Sequence, residues 1–307
     1  MSADNMNDDQ KGITSFFEEG TVNVDNGFTP SIPDNSQFYC DAMNDGNINM
    51  VLNNVKPELI VLLGFSDYGK STFVGSLYHY LLKTGSIDGY ELYDSDTFSG
   101  FERRFYLRNI KNDPTAKSKI LRTDDNDEYM LTLTFYNRSL REKKQLIISD
   151  RPGETYKKYV DTKDVIKNDE SLPRAQRVMI LIDTTQVENW DILRGKFKQL
   201  FKGLKEYNKM PNEAIYTLLF NKIDVVNSNA TLKASFESSK QEIIDFFSLE
   251  LGIDENNLDC RELDSKHTRN NEVFEKLVKD LIKKDETSKN EEAKLKKSLD
   301  WVTEKIV

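Results

Sequence analysis

The stretch Leu59-Ile60-Val61-Leu62-Leu63 leads without interruption into Gly64-Phe65-Ser66-Asp67-Tyr68-Gly69-Lys70-Ser71-Thr72, a glycine-rich loop with the spacing G-x-x-x-x-G-K-S. A short apolar run without polar alternation reads as a strand buried on both faces, which is the environment of a parallel sheet. Glycines at its exit let the backbone wrap back so that successive N–H groups point inward, forming a nest for phosphate oxygens. A helix starting at Lys70 adds its positive end to that nest. Lys70 is placed to bridge the β- and γ-phosphates, and the Ser71 hydroxyl to sit on a magnesium ion. The loop residues Gly64, Ser66, Asp67, Tyr68, Gly69, Lys70, Ser71 and Thr72 are therefore candidate nucleotide contacts.

The charge balance narrows the partners. A formal net charge of −9 over 307 residues argues against a general electrostatic grip on nucleic acid or anionic membrane. No apolar run approaches the roughly 20 residues that span a bilayer. Two cysteines, Cys40 and Cys260, without paired spacing or a secretory leader, lead us to expect a cytoplasmic protein with no disulfide framework.

Residues 1–56 carry nine acidic residues against Lys11 and Lys56, with too little apolar surface to offset their ordering entropy. We expect a largely disordered arm, with Phe16, Phe17, Phe28, Phe38 and Tyr39 available to anchor short pieces of it. Residues 57–284 read as the folded domain. Phe73, Val74, Leu77, Tyr80 and Leu81 recur at helical spacing ahead of Gly85, a fitting C-cap. Residues 86–128 form a long polar connection with one helical stretch through Phe98, Phe101 and Phe105. Tyr129 to Tyr136 alternates with strand period, and Leu146 to Asp150 forms a second strand, so that together they predict an antiparallel hairpin at one sheet edge. After Asp150-Arg151-Pro152-Gly153-Glu154 comes a polar loop of some twenty residues. Strands at Val178–Asp183, Tyr216–Phe220 and Leu258–Leu263 follow, separated by helices at about 190–207 and 230–251. Another helix spans about 271–284. Residues 285–307 place Leu295, Leu299, Val302 and Ile306 on one face of an amphipathic helix. The expected fold is a three-layer α/β P-loop NTPase whose mostly parallel sheet has one antiparallel edge strand.

Four signals thus stand in order, each at the carboxyl end of a predicted strand: the phosphate loop, Asp150-x-x-Gly153, Asn221-Lys222-x-Asp224 and Asp264-Ser265-Lys266. This set resembles the TRAFAC-type, Ras-like GTPases. Lys70-Ser71-Thr72-Phe73-Val74-Gly75-Ser76-Leu77-Tyr78-His79, together with Asp150-Arg151-Pro152-Gly153-Glu154, looks more narrowly like the double-GTPase proteins of bacterial conflict and antiviral systems.

The resemblance implies a task for each piece. Asp150 would hold magnesium through a water, and the Gly153 amide would sense the γ-phosphate. Asp224 would accept from N1–H and the exocyclic amine of guanine, a donor pair adenine lacks. Lys222 would lie along the base, Asn221 would tie its loop to the phosphate loop, and the Ser265-Lys266 backbone would reach the guanine oxygen. Thr97 is a candidate second hydroxyl for magnesium, in competition with Thr115 and Thr123, while helix N-capping explains it equally.

The sequence also departs from the family pattern. Glu154 stands where Ras-like enzymes place a water-orienting glutamine, which adds charge beside an anionic γ-phosphate and predicts slow hydrolysis. Asp67 is acidic within the phosphate loop, as in the alpha subunits of heterotrimeric G proteins, where an arginine offsets it. Arg103, Arg104 and Arg151 are candidates for such a finger. The expected function is a GTP/GDP- and magnesium-dependent switch that contacts protein partners, or a second copy, through its switch loops, acidic arm and C-terminal helix. A non-hydrolysing, nucleotide-stabilised scaffold and a P-loop ATPase or kinase are the alternatives.

Overall fold

The computed structural model describes residues 42–44, 57–105, 129–211, 213–267 and 271–283. In chain order these form β1 (Glu58–Leu63), α1 (Lys70–Thr84), β2 (Ser86–Ile87), β3 (Tyr90–Asp94), α2 (Phe98–Phe105), β4 (Met130–Asn137) and β5 (Glu142–Ser149). There follow α3 (Gly153–Asp161), β6 (Arg177–Asp183), α4 (Trp190–Glu206), β7 (Ile215–Asn221), α5 (Ile223–Asn227), α6 (Ala230–Leu251), β8 (Asp259–Leu263) and α7 (Glu272–Ile282). The strands make one sheet in the order β2-β3-β4-β5-β1-β6-β7-β8.

From β5 to β8 all neighbours are parallel, with Val61 opposite Ser149, Leu63 opposite Ile180 and Asp183 opposite Asn221. Parallel pairing is the reason the site exists: it brings the carboxyl ends of β1, β5, β6, β7 and β8 to one rim. The chain reverses its direction of travel across the sheet beside β1, the switch point at which open α/β sheets bind ligands.

The antiparallel edge extends beyond β4. Both β3 and β2 continue it, pairing Tyr90 with Asn137 and Ile87 with Tyr90. These two short strands occupy the start of what the sequence offers only as a polar connection.

Helices cover both faces. On one, Phe73 and Tyr80 of α1 pack on Phe274 of α7, and Tyr78 stacks on Phe101 of α2 at 4.7 Å. On the other, Phe197 of α4 meets Phe247 of α6 at 5.1 Å. Buried aromatic side chains of this size dominate the energy of such a core.

Residues 153–175 are not the polar loop their sequence predicts. Helix α3 is followed by 3₁₀ turns at Lys163–Asn168 and Leu172–Arg174, and Tyr156, Tyr159, Ile166 and Leu172 are buried. Of the acidic arm, Ala42 and Met43 are buried, and Met43 forms an antiparallel bridge with Met130. The aromatics expected to anchor the arm, and the helix expected at 285–307, lie outside the described residues. So do Thr115, Thr123 and the side chains of Arg103 and Arg104.

Candidate functional site

The phosphate loop closes over Lys70, the first residue of α1. Its ammonium is buried and donates to the carbonyls of Gly64 at 2.7 Å and Phe65 at 3.0 Å. Burial pushes Lys70 down to about 8, against the pull of Asp150, Glu154 and Asp67. A cation thus stands at the loop's centre with carboxylates around it, a balance that an incoming polyphosphate shifts toward the charged form.

The loop backbone is folded for close approach. Asp67 and Gly69 both lie at positive φ, at 65° and 87°. A Cβ on Gly69 would meet the Asn221 amide nitrogen at 2.2 Å. Ser66 and Asp67 remain at the surface of the loop, while the Tyr68 ring turns inward against Phe65 and Phe197.

Ser71 donates to Asp150 Oδ1 at 3.0 Å, bringing two hard oxygen groups together across the start of α1. That donor set fits magnesium, which takes oxygen ligands and keeps part of its water shell. Gly153 packs directly on the loop: a Cβ there would lie 2.1 Å from the Ser66 nitrogen. Just beyond it, the Tyr156 hydroxyl donates to the Leu62 carbonyl at 2.8 Å, so α3 is moored to the strand that carries the loop.

The base side is assembled around Asn221, which is buried at the end of β7. Its amide donates to the Tyr68 carbonyl at 2.8 Å, and its side-chain oxygen accepts from Ser265 Oγ at 2.7 Å. Ser76 of α1 in turn donates to the Ser265 carbonyl. Lys222 lies at positive φ, 65°, and its ammonium pairs with Asp183 at 2.7 Å. Asp224 follows in the first turn of α5, half-buried, with its carboxylate, that of Asp264 and a ring nitrogen of His267 all within 4.8 Å of one another. Asp264 also accepts from the N–H groups of Lys266 at 2.9 Å and His267 at 3.0 Å, shaping the turn beside Asp224. Lys266 itself is exposed.

Two predicted residues are put to other uses. The Thr97 hydroxyl is buried and accepts the N–H of Thr132 at 2.8 Å. It therefore fastens the start of α2 to β4. Arg151 is no free finger. Its guanidinium is 3% exposed and forms a salt bridge with Asp169. It also donates to Tyr159 at 3.1 Å and Tyr129 at 3.0 Å. Glu154 stays in the first turn of α3, half-buried beside the loop.

Two further contributors stand outside the sequence motifs. Asp183 ends β6 and holds Lys222; a carboxylate closing an apolar strand is the same signal that marks Asp150. Asp169 carries no local signal, since it lies eighteen residues from Arg151. Burial alone pushes its carboxyl up, but Arg151 and the surrounding hydrogen bonds outweigh that and hold it below its usual range. The sign follows from linkage: a depressed carboxyl stabilises the fold above its unfolded value of about 3.9, and that stabilisation is lost as pH falls through the lower folded value. Thermal denaturation between neutral and strongly acid pH should show this loss in the wild type and a smaller one in Asp169→Asn.

Residues 58–282 match the family model described as Double-GTPase 2. The chain belongs to that family. It is accordingly a P-loop GTPase of the TRAFAC type. No curated protein is similar to it in sequence. Among solved structures, it is similar to the bacterial selenocysteine-specific elongation factor EF-Sec at 17% identity and a TM-score of 0.35, over 80% of this chain and 29% of that one. The chain thus spans under a third of that factor's length. It is also similar to the Arl6 BBS3 small GTPase from Trypanosoma brucei, at 10% identity and a TM-score of 0.37, over 74% of this chain and 97% of the other. A third likeness is to the Ski7 GTPase-like domain of S. cerevisiae, at 16% identity and a TM-score of 0.42, over 68% of this chain and 43% of the other.

Proposed function

We propose that this double-GTPase family protein is a GTP-binding switch with slow, magnesium-dependent hydrolysis, working in a multi-protein assembly of the bacterial defence type. The observation that carries the reading is the three-way tie at Asn221, which joins the phosphate loop to the Ser265 turn and sets Asp224 alongside. Ser71 and Asp150 would hold magnesium, which supplies charge neutralisation across the β- and γ-phosphate oxygens when bound. Lys70 would hold the phosphates and the Gly153 N–H would register the third of them. Asp224 would select guanine, with Lys222, braced by Asp183, lying along the base.

Slow turnover is supported by Glu154 beside the phosphate loop and by the engagement of Arg151 with Asp169. Neither supplies what an efficient hydrolase needs, a water-orienting amide and a mobile cation, so acceleration would come from a partner. The same two observations favour a second reading, a nucleotide-stabilised scaffold that does not turn over. Protein contacts would run through the switch loops, the acidic arm and the C-terminal segment, with a second copy of the chain among the candidate partners and a cytoplasmic setting. Among the described residues no helix is long and apolar enough to cross a membrane.

Titration with GTP, GDP and ATP, each with and without magnesium, tests the assignment. Guanine preference and a magnesium requirement for GTP are expected, whereas equal or better ATP binding overturns it. Multiple-turnover phosphate release, with Lys70→Ala as the blank, separates switch from scaffold: slow release above the blank is expected of the switch, and none of the scaffold.

A further inference from the structure

Under the magnesium–GTP reading, Asp150 would present its carboxylate to magnesium and Gly153 its N–H to the γ-phosphate, yet only the three-residue irregular link Asp150-Arg151-Pro152 joins β5 to Gly153, the first residue of α3. Contacts beyond the phosphate loop also fix its position. The Asp150 N–H donates to the Tyr129 carbonyl at 2.8 Å. Arg151 turns the other way, into a buried cage. One guanidinium nitrogen donates to Asp169 Oδ1 at 2.9 Å and to the Tyr129 hydroxyl at 3.0 Å, and also reaches Ser171 Oγ. The other donates to the Tyr159 hydroxyl at 3.1 Å and to Asp169 Oδ2. The Tyr129 ring lies 4.7 Å from the guanidinium carbon.

Asp169 is the hub of this cage. Besides Arg151, it accepts the Ser171 N–H at 3.1 Å and the Leu172 N–H at 3.0 Å on one oxygen, and the Tyr159 hydroxyl at 3.0 Å on the other. It thus gathers the turn at 169–172, helix α3 and the Asp150 segment at one point. A buried ion pair is a poor source of net stability, because desolvation cancels most of the attraction, and apolar residues of similar volume would fill the space as well. What a bidentate pair with this many shared hydrogen bonds supplies is a single geometry.

We propose that Asp169 is a positioning residue for magnesium and γ-phosphate binding: by holding Arg151, it sets where Asp150 and Gly153 stand relative to Ser71 and the phosphate loop. The inference rests on the magnesium–GTP reading above and adds to it a residue that touches neither ligand.

The test is Asp169→Asn in the full chain, which keeps the shape and removes the charge. Affinities for GDP without magnesium and for a non-hydrolysable GTP analogue across a magnesium series are measured, with thermal denaturation alongside. The magnesium concentration for half-saturation with the analogue is expected to rise by about tenfold or more, the loss typical when a partner behind a metal ligand is removed, while magnesium-free GDP binding holds. A merely structural Asp169 would weaken both nucleotides by the same factor and leave the magnesium requirement where it was, and that result overturns the proposal. Should Asp169→Asn fail to fold, Tyr159→Phe and Ser171→Ala each remove a hydroxyl that bonds to both Arg151 and Asp169, and spare the ion pair. A smaller rise in the magnesium requirement is expected for both, and no rise in either overturns the proposal. A wild type whose GTP binding ignores magnesium overturns the function and this role together. A wild type that needs magnesium, beside an Asp169→Asn that needs it equally, overturns this role alone.

Discussion

Gly153→Ala should lose the response to GTP almost completely. The added methyl would lie 2.1 Å from the Ser66 nitrogen and 2.4 Å from the Phe65 carbonyl carbon and Ser66 Cα. All three are backbone atoms of the phosphate loop, and none can rotate aside as the tip of a side chain would. Relief has to come from moving α3 away from the loop, against the Tyr156 hydrogen bond to Leu62, or from deforming the loop itself. Either displaces a phosphate-contacting amide by something near 1 Å, and misplacement of that size costs about a hundredfold. Phosphate release should therefore fall by about that factor or more, and binding of a non-hydrolysable GTP analogue, measured by calorimetry, should fall with it. Gly85→Ala is the informative contrast. Gly85 caps α1 at φ 72° with open space around it, so its substitution should cost about 1–2 kcal/mol of stability through backbone strain and leave nucleotide affinity unchanged.

The second large effect is expected at Asp224. A carboxylate facing guanine accepts two hydrogen bonds, and charge-assisted bonds of this kind are worth about 1.5–3 kcal/mol each. Asp224→Asn turns one acceptor into a donor that faces the donors of the base, so GTP affinity should drop by more than about a hundredfold, the equivalent of roughly 3 kcal/mol. Xanthine carries an oxygen where guanine carries the exocyclic amine, so xanthosine triphosphate should bind the variant better than it binds the wild type. Competition between GTP, ATP and xanthosine triphosphate reads this out directly. Unaltered base preference would remove Asp224 from the base pocket and return the ATPase or kinase alternative to consideration.

How much of this was legible beforehand follows from where the information lies. The parallel half of the sheet was readable because each strand is a short apolar run that breaks off at a polar signature, and both signals are local. The tie from Asn221 to the phosphate loop was readable for the same reason. Strands β2 and β3 were not, since Ser86–Ile87 and Tyr90–Asp94 are too short for a period to emerge and owe their strand state to pairing with β4. Helix α3 and its 3₁₀ continuation hid behind a similar limit. Tyr156, Tyr159, Ile166 and Leu172 are buried at spacings that match no single helix, and tertiary packing orders them. Arg151 illustrates the failure that matters most for mechanism. An arginine beside a phosphate-binding motif invites a catalytic reading, and only the fold reveals that a distant aspartate has claimed it. Thr97 is the milder case: the hydroxyl expected either to serve magnesium or to cap α2 in fact bonds to a strand thirty-five residues away.

At Asn221 a single carboxamide grips the Tyr68 carbonyl with its nitrogen and the Ser265 hydroxyl with its oxygen, so the phosphate loop and the Ser265 turn are mechanically one unit. Any change at Asn221 releases both partners together, and under the GTP-switch reading that would loosen both ends of the ligand at once.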